Sequence, residues 1–344
     1  MRKETLHSVH ALRFLAALAV VVHHALQAFN LPVSVDAAGV DVFFIISGLV
    51  IGLSMEAGDK PAQFVIKRLI RVMPMYWVAT IVYAGMSHFS WGFTAPLSTY
   101  VRSACLWPVF GTDWYPIYYP AWTLEYEMFF YAVASLALWG LGKRGRVVTL
   151  IVIACLVATP IPVPGRPGAH FDTRFFLEFG AGMILSLALP ALLRLQREIG
   201  LGLVVAALGL FALNYADNSP MRALVWGVPS AMLVMGLLPF DGWSAFKSKA
   251  AVFGGEISYS LYLTHLTGLQ VASDIASALH LPILSHFWGA ILVGIPTAVA
   301  FAALLHICIE RPMLSFLRLT LLPRIPGKSS GQLRVEKTSD SASA

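Results

Sequence analysis

Apolar residues in this chain gather in long, nearly unbroken runs, without the strict alternation of a half-buried strand or the single apolar stripe of a surface helix. The first run follows Arg2 and Lys3 and reaches about Phe29. Others recur near 38 to 55, 69 to 88, 121 to 141, 146 to 160, 171 to 190, 199 to 216, 221 to 240, 256 to 279 and 286 to 309. A bilayer core takes about 20 apolar residues per helix, so the pattern predicts an all-α integral membrane protein of about ten transmembrane helices. The weakest of the ten is the short run from Arg146 to Pro160. The first run contains Arg13, His23 and His24 and lacks a small-x-small cleavage site, so it reads as a retained span and not as a signal peptide.

Composition narrows this further. Of 344 residues, 58% are hydrophobic and 12% charged, whereas soluble domains carry about 25% charged residues. An ordinary soluble enzyme is excluded, and ten spans leave no room for a hidden soluble domain. The expected organisation is a ten-helix domain over residues 1–312 and a cytoplasmic tail over 313–344. The tail is largely disordered on this reading, because from about Pro323 it is rich in Ser, Lys and Gly. The net charge of +6 does not point to nucleic acid, since the basic residues fall in short clusters between apolar runs. With the N-terminus inside, 19 of the 24 Lys and Arg fall on the cytoplasmic side. That bias places both termini in the cytoplasm and makes the span number even. Cys105, Cys155 and Cys308 lie far apart without ligand spacing, so neither a disulfide framework nor a metal site is expected.

Ionisable groups inside spans are functional candidates because burying them is costly. Arg13 and His24 are eleven residues apart, which at 100° per residue is within about 20° of three full turns. They therefore share one helix face about 16 Å apart along the axis, while His23 points about 100° away. That face suits an elongated anionic ligand, its charged head at Arg13 and its reactive end at His24. Snorkelling of Arg13 to headgroups, with the histidines bonded to neighbouring helices, fits the spacing equally. Asp41 begins the second span and either orients an imidazole or caps its helix. Lys67, Arg68 and Arg71 precede Pro74 at a cytoplasmic mouth; they could bind phosphates or simply hold topology. Glu125 and Glu127 are 200° apart on a helix and cannot face one cavity, so one is expected at the interface and the other buried. Ser258, Tyr262 and His265 form one polar stripe, which is either interhelical glue or a cavity wall. A segment from about Phe89 to Pro120 is crowded with Trp and Tyr; it reads as an interfacial belt or as a stacking surface for sugars.

Several of these motifs, in order, resemble acyltransferase family 3, the bacterial membrane O-acyltransferases. They are Arg13-x10-His24; Gly39-Val40-Asp41 with Phe43-Phe44 and Ser47-Gly48; Arg68 and Arg71 ahead of Pro74 and Tyr76-Trp77; Trp122-Thr123-Leu124 with Glu127 and Phe130-Tyr131; Ser258-Tyr259 with Tyr262 and His265; and Glu310-Arg311-Pro312. The stretch from Glu125 to Tyr131 is most similar to the branch associated with exopolysaccharide production. Lys67 stands where the family's paired arginines would place the first Arg, which keeps the charge and weakens bidentate phosphate binding.

The resemblance implies transfer of an acyl group, usually acetyl, from cytosolic acyl-CoA as donor substrate to a hydroxyl of a surface or secreted glycan, free or lipid-linked, at the bacterial inner membrane. On that implication His24 is a general base or takes the acyl group first, Asp41 orients it, and Glu127 lines the cavity. Arg13, Arg68 and Arg71 hold CoA phosphates, and Trp122, Ser258, Tyr262 and His265 form the acceptor cavity. The bilayer and polysaccharide assembly machinery are the expected partners. A flippase for a lipid-linked glycan needs similar features, and an acyltransferase acting on a lipid or small molecule would look alike.

Overall fold

The computed structural model describes residues 3–27, 35–58, 60–106, 116–159, 161–162, 170–213, 223–280, 287–322 and 334–336. Helices dominate them. In chain order they are α1 (His7–Gln27), α2 (Val35–Glu56), α3 (Pro61–Trp91), the short α4 (Leu97–Ala104), α5 (Trp122–Leu141), α6 (Gly145–Ala158), α7 (Phe175–Leu192), α8 (Arg197–Leu213), α9 (Ala223–Phe240), α10 (Lys249–Ala278) and α11 (Phe287–Leu321). Six of them, α1, α2, α3, α7, α9 and α11, are long and apolar enough to cross a membrane. Among the described residues, each apolar run of the sequence falls mainly on one of these helices, and α6 is the shortest of those at 14 residues. The described residues also hold two small antiparallel pairs, Lys3–Thr5 with Arg334–Glu336 and Ile161–Pro162 with His170–Phe171.

Several helices outrun their apolar stretches. α3 starts at Pro61, where proline's missing N–H costs nothing in the first turn. It ends at Gly92, whose φ of +67° suits glycine and whose N–H closes on the His88 carbonyl at 2.8 Å. Its 31 residues span about 46 Å, more than a hydrocarbon core of about 30 Å. Lys67, Arg68 and Arg71 therefore lie inside α3 and not ahead of it. α11 likewise continues to Leu321, so the segment expected to be tail from 313 is helical for its first nine residues. That last stretch is amphipathic, with Phe316 and Leu319 exposed and Leu314 buried. The remainder beyond Leu322, apart from 334–336, lies outside the described residues.

Among the described residues, three π-helical turns occur, at Ala223–Gly227, Ala290–Gly294 and His306–Glu310. Each is followed two residues later by proline: Pro229, Pro296 and Pro312. A proline ring clashes with the carbonyl four residues back and offers no N–H, and a widened turn just before it relieves both problems. The helix continues through each proline.

Packing relies on small residues. At the crossing of α2 and α7, a Cβ on Gly48 would collide with the Phe179 carbonyl, and one on Gly182 with the Ile45 carbonyl. The two backbones touch reciprocally, as small residues permit within membranes. Gly254 and Gly255 of α10 similarly admit Phe14 and His10 of α1. Around these contacts lies a core that includes Val21, Phe44, Met75, Tyr76, Phe130, Phe176 and Phe179. Large apolar side chains such as Ile81, Leu136, Trp139 and Val205 face outward. Only a lipid environment makes such a surface favourable.

Candidate active site

The end of α1 carrying His24 meets α10 at His265. The two imidazole rings stack, with centroids 5.0 Å apart and planes 29° from parallel. They wall a narrow cleft together with Val20, Val40, Tyr119, Pro120, Trp122 and Tyr262. It encloses about 30 Å³, room for about two groups the size of a water molecule or hydroxyl.

Local structure explains how these side chains converge. α3 anchors α4: Tyr76 donates its hydroxyl to the Ser103 carbonyl at 2.7 Å, and Trp77 Nε1 donates to the Ala104 carbonyl at 2.8 Å. Ser103 Oγ in turn accepts from the Ile117 backbone N–H at 3.1 Å. Tyr118 is fully buried, and the next residues, Tyr119 and Pro120, are delivered to the cleft in a tight 3₁₀ turn that leads into α5. Tyr262 fastens α10 to that turn, donating to the Pro120 carbonyl at 3.0 Å and lying 2.8 Å from Thr123 Oγ1. The aromatic segment thus contributes to the cleft as well as to the surface.

His265 Nδ1 lies 2.7 Å from the Tyr262 carbonyl. A carbonyl oxygen only accepts, so the ring proton sits on Nδ1. Nε2 then carries a lone pair; it is buried and has no hydrogen-bond partner. His24 Nδ1 lies 3.1 Å from Gln27 Oε1, one turn further along α1. Asp41 is fully buried in the second turn of α2, beside Val40 of the cleft. Its place inside the helix rules out a capping role at the α2 N-terminus, where only the first N–H groups lack partners.

A second polar cluster surrounds the other end of the Arg13–His24 face. Glu127 accepts from Ser47 Oγ at 3.0 Å and from the Tyr131 hydroxyl. Arg68 donates to Ser54 Oγ at 2.8 Å and lies over the Tyr131 and Phe64 rings, while its buried Nε has no partner. Arg71 donates to Glu310 Oε1 at 2.5 Å and covers the Tyr259 ring at 4.9 Å. Glu310 is fully buried, and its Oε2 also takes hydrogen bonds from Ser260 at 2.6 Å and His306 at 2.8 Å. The Arg13 guanidinium lies within electrostatic reach of Arg71, Glu127, Tyr131 and Glu310. Three guanidinium groups against two carboxylates leave a positive surplus, and an orphaned guanidinium nitrogen among them fits a phosphate. Among the described residues no group of three or more His, Cys, Asp or Glu converges into a metal-ligand set.

The sequence-derived residues therefore divide between two clusters. His24, Trp122, Tyr262 and His265 line the cleft; Arg13, Arg68, Arg71 and Glu127 form the charged cluster. Glu127 was expected in the catalytic cavity with His24, and its hydrogen bonds instead tie it to Ser47 and Tyr131. Ser258 does not line the cleft: it donates to the Gly255 carbonyl at 2.8 Å in its own helix. It is two turns from His265, about 10 Å along α10. Glu125, expected with Glu127 to divide between interface and interior, is itself buried. Ser47, Tyr131, His306 and Glu310 were not singled out as site residues, although Ser47, Tyr131 and Glu310 fall within the motifs quoted above.

Comparison with known proteins completes the picture. The acyltransferase domain profile matches residues 6–307. The exopolysaccharide production protein ExoZ of Rhizobium meliloti (strain 1021) is 30% identical over 313 residues, covering 85% of this chain and 93% of the relative. The acyltransferase MdmB of Streptomyces mycarofaciens is 26% identical over 368 residues, covering 91% of this chain and 92% of the relative. No solved structure gives a significant match. A profile that spans almost the whole chain, on a helical membrane architecture with a buried imidazole cleft, makes this chain a member of acyltransferase family 3, a membrane acyltransferase that transfers groups other than aminoacyl groups.

Proposed function

We propose that the protein moves an acyl group, acetyl in the first instance, from cytosolic acyl-CoA to a hydroxyl of a cell-surface or secreted glycan. What carries this reading is the two-ended face of α1. Arg13, with Arg71 near it and Arg68 over the Tyr131 ring, offers positive charge for the donor's phosphates, and His24, eleven residues along, offers an imidazole in a cleft that admits a hydroxyl. Its Nε2 takes the proton of the attacking hydroxyl as the new ester bond forms and the thioester C–S bond breaks. The proton ends on the departing CoA sulfur. Asp41, buried beside the cleft, stabilises the imidazolium.

The topology that suits this chemistry has ten spans and both termini in the cytoplasm, with 19 of the 24 basic residues on the donor side. The proposal includes residence in the bacterial inner membrane, within reach of polysaccharide assembly machinery. The name of the R. meliloti relative, an exopolysaccharide production protein, supports a glycan acceptor.

Purified protein in liposomes, given acyl-labelled acetyl-CoA and de-esterified exopolysaccharide from the producing cells, is expected to place label on the glycan. Movement of unmodified glycan across the membrane without label transfer would overturn the reading in favour of a flippase.

A further inference from the structure

We propose that His265 is the second half of the acceptor site: its Nε2 receives the hydroxyl next to the one acylated at His24, so the acceptor presents a vicinal diol. This rests on the transfer reaction proposed above and specifies its substrate.

His265 Nδ1 faces the Tyr262 carbonyl at 2.7 Å, an oxygen that only accepts. The His265 ring therefore offers an in-plane lone pair on Nε2. Rings stacked at 5.0 Å cannot satisfy one another, because their lone pairs and N–H groups lie in the ring planes and not across the stack. His265 Nε2 is fully buried and without a partner, a state that folded proteins avoid unless something supplies the missing bond. One hydroxyl has one proton and can donate to only one of the two nitrogens. An orphaned acceptor on His265, stacked beside the base proposed above in a cleft with Tyr119 and Trp122 on its wall, is matched by a second hydroxyl next to the reacting one on a sugar ring. During transfer the first hydroxyl gives its proton to His24, and from there it passes to the CoA sulfur. The second hydroxyl keeps its proton and hydrogen-bonds to His265, which neither gains nor loses one.

The test uses full-length protein in liposomes, acyl-labelled acetyl-CoA and de-esterified exopolysaccharide as the probe acceptor. One portion of the glycan is left intact. Another is treated with periodate and then borohydride, which cleaves vicinal diols and spares isolated hydroxyls. We expect label on the intact glycan and at least ~10-fold less on the oxidised one, a margin set by the loss of one buried hydrogen bond. His265→Asn keeps an N–H for the Tyr262 carbonyl and removes Nε2. It should lower transfer to intact glycan by a similar factor, chiefly through the KM for glycan, with CoA binding unchanged. A purely structural role for His265 leaves His265→Asn near wild type. That result, equal labelling of oxidised and intact glycan, or loss of CoA binding in His265→Asn would each overturn the proposal. Absence of transfer to intact glycan by the wild type would instead remove the underlying reaction, and the proposal with it.

Discussion

Arg71 of α3 and Glu310 of α11 form an ion pair at 2.5 Å across 239 residues of sequence, with Glu310 wholly buried and Arg71 one-quarter exposed. Both carboxylate oxygens are engaged: Arg71 bonds to Oε1, and Ser260 and His306 bond to Oε2. The pair thereby joins α3, α10 and the π turn of α11. Removing one partner of a buried pair leaves an uncompensated charge, at a cost of about 3–5 kcal/mol. Arg71→Ala is expected to lower the unfolding temperature in detergent clearly. Arg71→Ala combined with Glu310→Gln should recover part of that loss, because the stranded charge is gone. Thermal unfolding followed by intrinsic fluorescence measures both, and an unchanged midpoint in Arg71→Ala would contradict this role.

The histidines of α1 provide an internal comparison. His24 lines the cleft and stacks on His265, whereas His23, next in sequence, is absent from the cleft wall. His24→Ala should reduce acyl transfer by at least ~100-fold, the usual scale of general-base catalysis. The protein should still be recovered from membranes at wild-type level. His23→Ala should retain activity within a few-fold. An active His24→Ala protein, assayed for label transfer, would remove the assigned base.

At the α2–α7 crossing, the atoms that a new Cβ would meet are backbone carbonyls, which cannot swing aside. Gly48→Ala or Gly182→Ala should each destabilise by about 1–3 kcal/mol, the range for overpacking. Gly209→Ala, with open space around its Cβ position, should be neutral or slightly stabilising. Detergent melting curves of the three variants separate the cases.

Ser258 and Tyr262 lie on one stripe of α10 but serve different ends. The Ser258 hydroxyl returns to its own helix at Gly255, so Ser258→Ala should cost under about 1 kcal/mol and leave transfer kinetics unchanged. Tyr262→Phe removes the link to Pro120 and Thr123 that holds the cleft wall. It should lower kcat/KM for the acceptor several-fold with little change in donor KM. Steady-state kinetics with each substrate varied in turn decides the matter.

The pattern of hydrophobicity along the chain was enough to establish a helical membrane protein, because lipid burial acts on each span through its own residues. The shared face of Arg13 and His24 was equally legible, since it depends only on helical periodicity, and α1 is unbroken over both. Motif order carried the family. The partners of these residues were not legible. His24 meets His265, and Arg71 meets Glu310, only after more than two hundred intervening residues have packed. Ser258 and His265 looked equivalent on one stripe until the position of the α5 turn selected which level of α10 faces the cleft. Periodicity gives each side chain a direction around its own helix. What lies in that direction is decided by which helices pack together and at what height, and those are properties of the whole assembly.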